Sequence, residues 1–414
     1  TTLLVGGSYR NKYQDGHYNG LPDSADGSLL NLPRSTYLSD DFAYENAANF
    51  GTFTELNHKL GDKWNIKLAA QIQNMDSDFL ESYYWYNSAS EFRMSSAAYD
   101  YFQRRKALDL RIDGTYSLFG REHELVVGMN RHKQHFGGIG GWDEETWTEE
   151  GGVVLDPYNW DPSSRARPLI AYELWEWQFE KIEKSIFIST RLNPVDNVGI
   201  ILGSRFGEYD FESRGSYYGS EYGSGFSDNS ILTPYLGLTW DFSKQHTLFA
   251  SYSEIFQPQE ATDKNNKLLP PIVGENLESG VKGEYFDAQL NLSATVFIMT
   301  QINRAIDDLN GPNPCTPLQD SFCQIASGEI EATGYELELS GQLRDNWNIS
   351  AGFTHVKAEF TKDPDESIVG TVVDPSQPED QFKLSTNYEF NNGFSLGGSM
   401  RYQSEIKRGG WGNY

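Results

Sequence analysis

The sequence predicts an all-β protein built as an antiparallel transmembrane β-barrel, and three observations carry the prediction. Apolar and polar residues alternate with period two over segments longer than the strands of ordinary soluble sheets. Tight turns and long polar loops follow one another in strict alternation. No run of about 18 apolar residues occurs, which excludes a membrane-crossing helix but not a barrel, whose strands expose apolar side chains only at every second position. The 414 residues are too many for one ordinary compact core and suit one large barrel.

In chain order, Ile66, Leu68, Ala70 and Ile72 alternate with Lys67, Gln71 and Gln73. Leu108, Leu110, Ile112, Gly114, Tyr116 and Leu118 alternate with Asp109, Arg111, Asp113, Thr115 and Ser117. Leu290, Leu292, Ala294, Val296 and Ile298 alternate with Gln289, Asn291, Ser293 and Thr295, and Tyr335, Leu337 and Leu339 with Glu336, Glu338 and Ser340. One face of each strand suits hydrocarbon and the other tolerates water. A soluble sandwich alternates as well, but its strands run to about 5–6 residues. Several here extend past about ten, the length that crosses a bilayer at a tilt.

Tight turns are read at 61–63, 120–122, 194–197, 243–246, 286–287, 344–346 and 391–393. Long polar loops are read at 11–45, 78–97, 137–169, 213–228, 258–271, 303–327 and 361–376. Short connections on one side and long ones on the other are the pattern of an outer-membrane barrel. Seven of each predict 15 strands. Trp64, Phe119, Trp240, Phe242, Tyr285, Phe286, Trp347 and Phe394 adjoin the short turns, where amphipathic rings suit a membrane-interface girdle.

Aromatic residues make up 14% of the chain, and the formal net charge is −26, which argues against nucleic acid as a partner because phosphate binding needs clustered Lys and Arg. The two cysteines, Cys315 and Cys323, lie close together in a polar Pro- and Asn-rich stretch. They read as a loop disulfide of an oxidising compartment rather than a metal pair, since no further Cys or nearby His completes a zinc set. The N-terminal TTLLVGGSYR lacks the basic start and cleavage region of a signal peptide and reads as chain interior.

No G-x-S-x-G elbow, H-E-x-x-H helix or phosphate-binding glycine loop is present. The run Gly137-Gly138-Ile139-Gly140-Gly141 has no strand-to-helix context and reads as a flexible loop. His132 and His135 are three apart, a spacing that puts them on opposite faces of a strand and disfavours a metal pair. Asp307-Asp308 and the acids of 363–366 lack the spacing of a calcium loop and read as solvated. No catalytic residues and no metal ligands are assigned. The long loops instead carry aromatics with scattered arginines. These are Tyr83, Tyr84, Trp85 and Tyr86 with Arg93, then Trp142, Trp147, Tyr158 and Trp160 with Arg165 and Arg167, then Tyr217, Tyr218 and Tyr222, and Arg34 at the close of the first loop.

Four blocks resemble one family. Residues 252–259 (YSEIFQPQ) with 275–283 (ENLESGVKG), and then 331–338 (EATGYELE), resemble the barrel of TonB-dependent ferric-siderophore receptors. Residues 119–128 (FGREHELVVG) resemble the ferric-pyoverdine and ferric-coprogen branch. The resemblance implies a 22-strand barrel with a plug domain in its lumen, in the outer membrane of a Gram-negative bacterium. Against that pattern the chain reads as an internal fragment, an incomplete barrel of about 15 strands at residues 1–414, with the plug, the first strands and the last strands absent.

The resemblance further implies uptake of a ferric siderophore, with iron held by the siderophore and no protein cofactor. The expected partners are that chelate, the TonB–ExbB–ExbD complex acting through the plug, and outer-membrane lipid and lipopolysaccharide. The expected ligand vestibule comprises Tyr83, Tyr84, Trp85, Tyr86, Trp142 and Trp160, with Arg34 and Arg93 as donors to anionic groups. The Trp85 stretch resembles the tryptophan-bearing loop of the pyoverdine branch. Gly280 and Gly334 are expected to allow close packing within a strand, and Glu278, Lys282, Glu336 and Glu338 to face the lumen. The alternatives are a TonB-dependent receptor for cobalamin, haem or a glycan, an outer-membrane barrel enzyme, and a soluble all-β binding protein.

Overall fold

The computed structural model describes residues 1–22, 24, 30–87, 91–146, 151–259, 261–265, 267–315 and 322–406. Its strands are β1 (Thr2–Asp15), β2 (Tyr44–Leu60), β3 (Trp64–Tyr86), β4 (Phe92–Leu118), β5 (Arg121–Trp142), β6 (Val153–Val154), β7 (Trp175–Val195) and β8 (Val198–Tyr217). They continue with β9 (Ser220–Asp241), β10 (His246–Gln257), β11 (Ile272–Tyr285), β12 (Leu290–Asp307), β13 (Gln324–Arg344), β14 (Trp347–Lys362), β15 (Asp380–Glu389) and β16 (Ser395–Gln403). All lie in one antiparallel sheet in which each strand pairs with the next, except that the two-residue β6 adds to the tip of β4 and β5 pairs directly with β7. Among the described residues the 15 long strands match the expected count, and β1 and β16 are the two edges of a sheet that does not close there.

The faces of the sheet confirm the alternation. Leu68, Leu110, Met129, Ile186, Phe206 and Leu232 stand opposite one another across six strands. Leu202, Leu236, Tyr252, Leu277 and Ile298 form a second such line. These side chains are apolar and yet open, with Ile186 57% and Leu277 52% exposed. A water-soluble monomer tolerates contiguous apolar patches of only a few hundred Å², so a belt across the sheet belongs against hydrocarbon. Trp64, Trp240, Tyr285 and Trp347 lie on the belt face at the short-turn ends, as expected of an interface girdle. The opposite face carries Glu278, Lys282, Glu336 and Glu338. Also on it, Gly280 and Gly334 lie beneath the rings of Phe249 and Phe297, so tightly that a Cβ on either glycine would come within 2.8 and 2.5 Å of ring carbons.

The short turns hold to within a few residues. The long connections hold at 16–43, 143–174, 258–271, 308–323 and 363–379, and two expectations are corrected. The stretch 213–228 is a hairpin that turns on Tyr218 and Gly219 at positive φ (48° and 77°), a pair of conformations that suits the right-handed twist of the flanking strands. The stretch 78–97 is mostly strand, and only 87–91 connects β3 to β4. Cys315 and Cys323 are disulfide-bonded.

Strand length positions the site. A tilted crossing consumes about 9–11 residues, whereas β3, β4, β5, β7, β8 and β9 have 20 to 27. Roughly half of each therefore stands clear of the membrane on the long-loop side.

Candidate functional site

Above the belt, the β3–β4 hairpin reaches beyond its neighbours, and its two faces are built differently. On the belt face, the connections 16–43 and 143–174 fold over it. Leu38, Met94 and Leu155 form a dry cluster with Tyr18, Tyr84, Phe92 and Trp160 packed around it. The Asp40 carboxylate is fully buried there. It accepts bonds from Ser82 Oγ (2.7 Å) and from Arg165 Nη1 (2.8 Å), and Arg165 also reaches Ser96 Oγ (3.1 Å). Burial pushes the Asp40 carboxyl above the usual carboxylate range, against the opposing pull of the Arg165 guanidinium.

On the other face, aromatic rings form a continuous band. Phe79 lies 5.4 Å from Tyr99 and 5.7 Å from Tyr101, and Trp175 lies 5.8 and 6.1 Å from the same two tyrosines. Phe136 joins Tyr101 (5.7 Å) to Trp177 and Phe179 (5.7 and 5.6 Å), and Phe179 meets Phe211 (5.8 Å). At its far end Leu268, from the connection between β10 and β11, packs on Tyr209 and Phe211. The Lys181 ammonium lies over the Phe179 and Tyr209 rings at 5.6 and 5.8 Å. At its near end the band continues into Tyr83 and Trp85, stacked at 6.5 Å, and alongside it Trp142 meets Tyr217 and Tyr218, each at 5.9 Å.

The glycine run expected to be a flexible loop is part of β5 and builds this band. Gly138 and Gly140 face Tyr101 and Tyr99 across the β4–β5 pair. A Cβ on either glycine would fall 2.4 or 2.1 Å from the facing ring, so only glycine lets the rings lie there.

The expected site residues divide. Tyr83, Trp85 and Trp142 share the band face. Tyr84 and Tyr86 point the other way, against Phe92 (6.3 and 4.1 Å). Trp160 is held in the loop cluster, its indole N–H donating to the Ser39 carbonyl (3.2 Å). Arg93 pairs with Glu91 (2.7 Å), and Arg34 is exposed in a turn. Trp147 lies outside the described residues. His132 and His135 fall on opposite faces as expected, His132 beside Asp109 (3.4 Å) and His135 beside Gln178 (3.2 Å). The residues that the sequence reading missed are the strand aromatics Phe79, Tyr99, Tyr101, Phe136, Trp175, Trp177 and Phe179. Their signal was the i, i+2 spacing of Tyr99 with Tyr101 and of Trp175, Trp177 and Phe179, complementary to that of Gly138 and Gly140.

Residues 2–414 match the family model described as TonB dependent receptor-like, beta-barrel. The chain belongs to the TonB-dependent receptor β-barrel family. In such a barrel the belt face meets lipid of the outer membrane and the band face lines the lumen, with the long connections extracellular. The chain is 29% identical over 421 residues to the ferric-pyoverdine BN7/BN8 receptor of Pseudomonas putida, covering 98% of this chain and 49% of that protein. Its structure is similar to that of the ferripyoverdine receptor of the outer membrane of Pseudomonas aeruginosa bound to ferripyoverdine, with a TM-score of 0.77 and 25% identity over 97% of this chain and 52% of that one. It is also similar to a receptor solved in a complex with pyocin S2, with a TM-score of 0.80 and 25% identity over 97% of this chain and 53% of that one. The chain thus spans about half the length of the curated relatives it matches.

Proposed function

We propose that the receptor to which this chain contributes barrel wall binds a ferric siderophore on the lumenal aromatic band and imports it in a TonB-dependent manner. The observation that carries the reading is the band itself. At least nine rings from five adjacent strands lie on one wet face, above the membrane and beneath the extracellular connections. Rings on rigid strands give a compact chelate large contact area at little entropic cost. Tyr83, Trp85 and Trp142 extend that wall, with Arg34 on the connection 16–43 and Arg93 at the tip of β4, paired with Glu91, as donors for acidic substituents. Iron stays within the siderophore, and the TonB–ExbB–ExbD complex supplies the energy through a plug. The relatives and the solved structures, named as ferric-pyoverdine and siderophore receptors, support this reading over cobalamin, haem or glycan uptake.

The test is a tryptophan-fluorescence titration of the intact, detergent-purified receptor with a panel of ferric and iron-free siderophores. Saturable sub-micromolar quenching by one ferric chelate, weakened by Trp85→Ala, is the expected result. Silence across the panel, followed by a response to cobalamin, haem or an oligosaccharide, reassigns the substrate.

A further inference from the structure

We infer that Glu81 anchors a subsite for a cationic substituent of the chelate, an ammonium or guanidinium carried outside the iron-binding groups; the inference rests on the vestibule reading above. Glu81 is on β3 two residues from Phe79 and from Tyr83, and so shares the band face with both. Its side chain is 17% exposed, and no described residue donates a hydrogen bond to it. A carboxylate withdrawn that far from water costs free energy unless a positive or hydrogen-bonding partner meets it.

The nearby groups do not supply that partner. Lys12 is taken by Glu45, at 2.7 Å. His17 Nε2 stands 3.7 Å from the Glu81 carboxylate, beyond hydrogen-bond reach, while its other nitrogen is 4.0 Å from Glu45. The His17 ring packs on Phe79 at 4.7 Å, and burial holds its pKa below the ordinary imidazole value, so it is neutral at pH 7. Left unmet, the carboxyl is pushed up by burial to about 7, and a cation arriving beside it would hold it in the charged form.

The surroundings favour an organic cation. A carboxylate set beside aromatic walls offers a charge-assisted hydrogen bond together with ring faces for the cation. The band already holds a cation this way at its far end, where Lys181 lies over Phe179 and Tyr209. With Lys181 at one end and Glu81 at the other, the band presents opposite charges along its length. A chelate with a basic arm would be held in one orientation, and one with an acidic arm in that place would be repelled.

The test uses the intact receptor and three ferric complexes of one linear trihydroxamate, its terminal ammonium left free, acetylated or succinylated. The free ammonium form is expected to bind at least about tenfold tighter than the acetylated form, the scale of a charge-assisted hydrogen bond, with the succinylated form weakest. Glu81→Gln is expected to shrink the ammonium-to-acetyl ratio to about twofold or less, and Glu81→Asp to keep part of it. Glu45→Gln, whose parent carboxylate is already paired, is expected to retain the ratio. Equal affinities in the unmodified receptor, or a ratio that survives Glu81→Gln, overturn the subsite and leave the vestibule standing. Failure of all three complexes to bind overturns the subsite as stated, while the vestibule reading is decided by the titration with the full siderophore panel.

Discussion

One hairpin, β3–β4, carries two surfaces of opposite character on alternate residues of the same strands. Toward the lipid side, Ser82, Met94 and Ser96 disappear beneath two extracellular connections and a buried ion pair. Toward the lumen, Phe79, Tyr83, Trp85, Tyr99 and Tyr101 stay partly open beside a carboxylate that no donor among the described residues meets. The difference teaches how a strand with a period of two can be scaffold on one side and recognition surface on the other. The closed side fixes the backbone, and the fixed backbone holds the rings in place on the open side. A buried ion pair is poorly suited to adding net stability, but it is costly to break, which makes it effective at specifying one loop arrangement.

The strongest way to break this comparison is Arg165→Met, which leaves the Asp40 carboxylate buried without its cation. A loss of about 3–5 kcal/mol in local stability is expected. It is read as faster hydrogen exchange at the Asp41 and Leu155 amides, which bond to Pro162 and Phe92; unchanged protection means that the ion pair does not close this face. Next come two adjacent residues on opposite faces. Trp85→Ala is expected to weaken chelate binding about 10–100-fold, as losing a large aromatic contact does, while Tyr84→Ala changes affinity less than about twofold and lowers protection of the connection 143–174. Equal effects of the two on affinity would erase the distinction between the faces.

Gly140→Val sharpens it further. The added side chain meets the Tyr99 ring, and overpacking of this kind costs about 1–3 kcal/mol. Thermal denaturation in detergent measures the loss, and Tyr99→Ala in the same chain is expected to restore the part due to the ring but not that due to the Ala98 carbonyl, which a Cβ would also meet at 2.7 Å; no restoration at all places the strain at the backbone alone. The smallest expected effect concerns pH. Because the folded pKa of His17 lies below its unfolded value of about 6.5, the unfolded state takes up the proton first. The contribution of His17 is complete above pH ~6.5 and declines as the pH falls below it. The stability difference between the parent and His17→Gln, measured from pH 8 to 5, is expected to shift against the parent as the pH falls; a difference independent of pH overturns the assignment.

Much of this fold was legible in the chain. Alternation at Ile66–Ile72 and Leu290–Ile298 reports a strand with one face in hydrocarbon, and that pattern needs no tertiary information. Polar turn residues such as those at 61–63 and 391–393 mark the short ends for the same local reason. Reading failed where composition imitates a loop. The Gly-, Ser- and Tyr-rich 213–228 turns on Tyr-Gly rather than on the commoner Asn-Gly, and Gly137–Gly141 looks flexible until the rings above it are seen.

The site was harder than the fold. Trp85 and Trp160 look alike in the sequence, and only the packing separates a lumenal ring from one locked under Leu38. The band needs the register, since Tyr101, Phe136 and Phe179 are far apart in the chain and adjacent only across strands. Nothing in the sequence singles out Glu81, because the withdrawal of water from it is a property of the assembled hairpin.

The ring-over-glycine pairs of β4 and β5 also bear on passage. An aromatic side chain standing upright from a barrel wall would narrow the bore by its full length. Tyr99 and Tyr101 instead recline on Gly140 and Gly138, so the lining takes up little more than the thickness of a ring. A lumen can thus be papered with aromatic surface and still keep the clearance that a bulky cargo needs.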